Sequence, residues 1–64
     1  MYKFVKVTSP GQRDLHYSKE ELESRMRRLF NDTYVDLFML ELDTQDSARF
    51  KIAGFVCDVT VDGR

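Results

Sequence analysis

One segment, Tyr34-Val35-Asp36-Leu37-Phe38-Met39-Leu40-Glu41-Leu42, constrains this chain more than any other. Only Asp36 and Glu41 interrupt its apolar character. Read with a period of two, it is a strand with Val35, Leu37 and Met39 on one face and Tyr34, Phe38, Leu40 and Leu42 on the other. Both faces are then apolar. A chain of 64 residues with one clearly helical segment can cover one of them, and the other calls for a partner chain.

Size sharpens the argument. A chain near 60 residues buries only about 60% of its unfolded surface, so hydrophobic gain and lost chain entropy nearly cancel. Folds this small lean on disulfides, metal, tight packing or oligomerisation. Cys57 is the one cysteine and forms no internal disulfide. His16 and Cys57 together fall short of a four-ligand zinc site unless carboxylates join them. Packing and association remain.

The helix has the best local signals. Ser18-Lys19-Glu20-Glu21 is a capping box, with Tyr17 and Leu22 placed as a hydrophobic staple. Glu20, Glu21 and Glu23 sit at the positive end of the helix dipole, and Arg25, Arg27 and Arg28 at the negative end. Leu22, Met26, Leu29 and Phe30 recur at the helical period. The spacing predicts a helix over 19–30, ended by Asn31-Asp32.

Around it, residues 2–8 alternate as a first strand, and Ser9-Pro10-Gly11-Gln12 suits a type II turn. Residues 13–17 read as a loop, with a short strand folding back on the first as the alternative. Residues 43–47 are polar and read as a hairpin loop. A third strand runs from about 48 to 61, with a phase change at Gly54 that implies a β-bulge or a bend. The expected fold is one α+β domain over residues 1–64 in the order β-α-β-β. One helix packs on a three-stranded, mainly antiparallel sheet, with the third strand in the centre. In that order strand two is an apolar edge guarded only by Asp36 and Glu41, while strand one carries Lys3 and Lys6. A homodimer through strand two, or through the uncovered sheet face, places Phe38, Leu40 and Leu42 at the self-association surface.

The chemistry-bearing residues point away from catalysis. His16 lacks a nucleophile and an orienting carboxylate in sequence reach, and reads as an exposed loop histidine. Cys57 lies among Phe55, Val56 and Val59 and reads as a core residue. Glu41, Asp43 and Asp46 lack the glycine and the distal glutamate of a calcium loop. Gly11, Gly54 and Gly63 are isolated, so no phosphate-binding loop forms. No enzyme activity, metal or cofactor is expected.

Lysine and arginine total 10 against 11 acidic residues, so the chain has no net pull toward nucleic acid or an anionic membrane. No apolar run reaches the ~20 residues of a membrane span, and the N-terminal residues lack a signal-peptide core. With a lone cysteine, the expected compartment is a reducing cytoplasm. By elimination the chain is a small, non-enzymatic protein-interaction module. Its type is common among phage or mobile-element accessory proteins that bind and modulate a host protein. Glu20, Ser24, Arg27 and Arg28, on the outer helix face, are the candidate partner-binding residues. The rival reading is a dimeric nucleic-acid-binding regulator that uses the helix arginines. It is not favoured, because Glu20, Glu21 and Glu23 interrupt the basic face. The string Arg27-Arg28-Leu29-Phe30 resembles a short docking motif, but Leu29 and Phe30 are expected in the core.

Overall fold

The computed structural model describes residues 2–62. Six elements follow one another: β1 (Phe4–Thr8), β2 (Leu15–Ser18), α1 (Lys19–Leu29), α2 (Asp32–Gln45), β3 (Ser47–Ile52) and β4 (Phe55–Asp62). The strands form one antiparallel sheet in the order β2-β1-β4-β3. Both helices pack on the same face of it.

The α+β class holds, but the sheet has four strands rather than three, and there are two helices rather than one. The main correction falls on residues 34–42, expected as strand two, which lie within helix α2. Asn31, read as the end of a helix, starts one: its Oδ1 accepts the Tyr34 N–H at 2.8 Å. The Val35 N–H donates to the Asn31 carbonyl at 3.1 Å. Within α2 the buried residues are Val35, Phe38, Met39 and Leu42, the i, i+3, i+4, i+7 stripe of a helix. Leu37 and Leu40 lie outside this stripe, and their apolar character made the run look two-faced. The helix ends at Asp46, in the left-handed region at φ 63°, whose N–H donates to the Leu42 carbonyl at 3.1 Å.

The second correction concerns Gly54. In place of a bulge or bend within one long strand there is a two-residue hairpin turn: Ala53 at φ 50° and Gly54 at φ 82° separate β3 from β4. Consecutive positive φ angles match the twist of the flanking strands. For residues 13–17 the alternative to a loop holds: Leu15–Ser18 form β2, a short strand that folds back on β1, with Val5 opposite Tyr17 and Val7 opposite Leu15. Between them, Gln12 N–H donates to the Ser9 carbonyl at 3.3 Å, with Gly11 at φ 71°. Helix α1 begins as expected: the Ser18 hydroxyl accepts the Glu21 N–H at 3.1 Å. Ser18 is at once the last residue of β2 and the cap of α1.

The period of two along the strands divides the sheet into two unlike faces. Val5, Val7, Ala48, Phe50, Cys57 and Val59 point at the helices and are buried with Leu22, Met26 and the α2 stripe. Phe30 stacks on Tyr34 at 4.7 Å between centroids and meets Phe50 edge-on at 5.8 Å, as Phe38 does. The other face carries Phe4, Lys6, His16, Arg49, Lys51, Asp58 and Thr60. It is mostly polar and mixed in charge, so it needs no apolar cover. The premise that one greasy sheet face required a second chain is therefore removed. Among the described residues no helix is long and apolar enough to cross a membrane.

Candidate interaction surface

Helix α2 presents an apolar group outside the core. Leu37 and Leu40 are 63% and 58% exposed, against 5% for Phe38 and 0% for Leu42. Of the three residues expected at a self-association surface, Phe38 and Leu42 are thus inside the chain's own core, and Leu40 alone faces outward. Tyr34, one turn before Leu37 and Phe38, extends the apolar ridge toward β3.

Charges close the side of α2 that meets α1. The helix contains Asp32, Asp36, Glu41 and Asp43 and no lysine or arginine. Arg27 of α1 supplies the missing cation. Its Nη2 lies 2.8 Å from both Glu23 Oε2 and Asp36 Oδ1, and its Nη1 lies 3.0 Å from Asp32 Oδ1. Hydrogen bonds to Asp36, Glu23 and Asp32 push the Arg27 pKa well above the ordinary arginine value. Lys19 Nζ meets Asp43 at 3.6 Å and sits over the Tyr2 ring at 5.0 Å.

The four residues expected to bind a partner, Glu20, Ser24, Arg27 and Arg28, all lie on the exposed side of α1. The structure brings Glu20, Ser24 and Arg27 together with Glu23 around one shallow depression. Arg27, however, is held by three carboxylates. Arg25 is stacked 4.8 Å from the Tyr17 centroid and pairs with Glu21 at 3.8 Å. Between residues 19 and 45, seven acidic side chains stand against four basic ones. The helical layer is therefore an acidic surface with an apolar ridge, not a basic one.

The other singled-out residues fall as follows. His16 lies on β2 rather than in a loop, exposed on the open sheet face with its Nδ1 3.6 Å from Asp62 Oδ2. Cys57 is buried, its Sγ 3.4 Å from Ser9 Oγ. No group of three or more His, Cys, Asp or Glu residues that could hold a metal occurs among the described residues. Leu29 is exposed rather than in the core, at the mouth of a small apolar cavity floored by Val7, Phe50 and Cys57. Phe4 is the exposed aromatic of the open sheet face, whereas Tyr2 and Phe38 are buried.

Sequence reasoning missed the ridge Tyr34, Leu37 and Leu40, and with it a groove of about 270 Å³ between α2 and β3. The groove is lined by Tyr34, Leu37, Phe38, Glu41 and Arg49. The signal that could have found them is the Asn31 cap: once residues 32–45 are helical, Leu37 and Leu40 fall outside the buried stripe.

Comparison with known proteins returned no match: no family model fits the chain, and no curated protein or solved structure resembles it significantly.

Proposed function

We propose that this chain is a small, non-enzymatic protein-interaction module that docks a partner protein on the outer face of α2. The observation that carries this reading is the exposure of Leu37 and Leu40, side by side on a helix whose Val35, Phe38, Met39 and Leu42 are buried. In a protein this small, every apolar side chain left outside is missing from a thin core. A paired, rimmed apolar patch is what interfaces use at their centre. The carboxylates around the ridge favour a partner whose rim is basic.

The nucleic-acid reading has less support. Arg27 gives its donors to three carboxylates, Arg25 stacks on Tyr17, and the helical layer is acidic. Counterion release on a phosphate backbone needs cations free to replace salt.

Photo-crosslinking separates the two. A crosslinking residue at position 40 is expected to trap one protein in the native cell. The adduct should vanish when Leu37→Asp is added, and a crosslinker at Lys6 on the open sheet face should give none. Equal trapping at both positions, or binding to mixed DNA that falls steeply with salt, overturns the reading. Sedimentation of the same protein reads self-association through the ridge directly.

A further inference from the structure

Strand β3 is a bare edge of the sheet, and its main-chain geometry shows which groups are free. The Val61 N–H donates to the Asp46 carbonyl at 2.9 Å, so residues 46 and 61 form a hydrogen-bonded pair. Antiparallel pairs alternate between bonded and non-bonded. With Ala48 opposite Val59 and Phe50 opposite Cys57 as the next bonded pairs, the N–H and C=O groups of Ser47, Arg49 and Lys51 point away from β4. The two-residue turn at 53–54, which makes Ile52 and Phe55 a bonded pair, gives the same phase.

The side chains of this edge are as specific as its backbone. Arg49 and Lys51 stand on the open sheet face, both exposed. Arg49 Nε lies 2.7 Å from Asp58 Oδ1, and Lys51 has Val56 as its cross-strand neighbour. On the helix side, the groove of Tyr34, Leu37, Phe38 and Glu41 runs beside the strand. A second copy of the chain fits this edge badly. The two fullest two-fold registers of β3 against itself set Arg49 opposite its own copy or opposite Lys51 of that copy, and like charges directly opposed destabilise a sheet.

We infer that β3 accepts an extended segment of the partner protein as a fifth strand, with acidic side chains over Arg49 and Lys51 and an apolar side chain in the α2–β3 groove. Main-chain hydrogen bonds to Arg49 and Lys51 supply affinity, and the alternating side chains supply selectivity. The same two cations that discourage self-pairing select an acidic strand. This inference rests on the protein-binding reading above and adds the form in which the partner is presented.

The probe is a blocked eight-residue peptide alternating valine and glutamate, titrated into the full chain and followed by amide NMR and hydrogen exchange. A valine–lysine peptide serves as control. The valine–glutamate peptide is expected to saturate, to shift the Arg49 and Lys51 amides and to slow their exchange. Lys51→Glu, at an exposed position, should weaken it at least tenfold and should create binding of the valine–lysine peptide. Equal binding of both peptides, or no saturation of either, overturns strand addition. Shifts confined to Leu37 and Leu40, with β3 unmoved, overturn it too while leaving docking on α2 intact. Failure of that broader reading is seen separately, in the crosslinking at position 40.

Discussion

Arg27 and Asp36 stand on different helices, nine residues apart in sequence, and their guanidinium and carboxylate meet at 2.8 Å. With Glu23 and Asp32 they form a four-member cluster across the α1–α2 corner. Exposed pairs contribute little singly, and networks contribute more. Arg27→Gln should lower the thermal midpoint modestly, and added salt should shrink the difference between the two proteins. The Arg27 pKa is raised on folding. Its contribution is therefore fully present below the ordinary arginine value and fades only as pH rises beyond it. Titration of Arg27 itself should leave no mark on stability between about pH 5 and about pH 9. A stability profile by urea titration across that range, wild type against Arg27→Gln, is expected to show a difference that does not fall as pH rises toward about 9.

Leu40 and Leu42 separate the helical from the extended reading of the same run. As a strand, both would share one face; in α2, Leu42 is buried and Leu40 is not. Leu42→Ala should cost about 2–5 kcal/mol of unfolding free energy, and Leu40→Ala within about 0.5 kcal/mol. Equal costs in chemical denaturation would contradict the helix.

Asn31 caps α2 through the Tyr34 N–H. Asn31→Ala should destabilise by about 1 kcal/mol, and Asn31→Ser or Asn31→Asp should retain most of that. Loss of helical circular dichroism with little change at α1 residues, read by NMR, locates the effect.

Ala53 occupies a left-handed turn position at φ 50°. Ala53→Asn should recover part of the roughly 1–2 kcal/mol that this conformation costs an alanine. Gly54→Ala should cost about 1 kcal/mol, although nothing beyond its chain neighbours lies within 4 Å of the added methyl group. Paired melting curves of the two variants test the turn.

These residues also show why sequence reading succeeded at one helix and failed at the other. Around α1, capping box, staple and apolar stripe agreed, and the structure places the Ser18 cap where they put it. Around α2, Leu37 and Leu40 supply apolar residues at positions a helix leaves outside, so the run satisfies period two and period 3.6 together. Short apolar runs are ambiguous in this way, and length and caps decide. Asn31 holds that information, but an Asn-Asp pair after a helical stripe serves equally well as a terminator. At Gly54 the change of phase was visible, but a bulge and a tight turn both shift it, and alanine is an uncommon partner in such a turn. For the proposed interaction surface, Leu37 and Leu40 could be placed outside only once residues 32–45 were known to be helical. The β3 edge could not be named from the sequence, since strand order depends on contacts between distant segments.

The strands at the middle of the sheet are β1 and β4, with Phe4 opposite Asp62. The seam that holds the fold together therefore joins segments nearly a whole chain apart. During synthesis, β1 must wait for β4 to leave the ribosome before it can be flanked on that side. Until then the ground beneath α2 is incomplete. The burial of its inner stripe is in this way tied to a long-range closure rather than to the helix's own sequence neighbours.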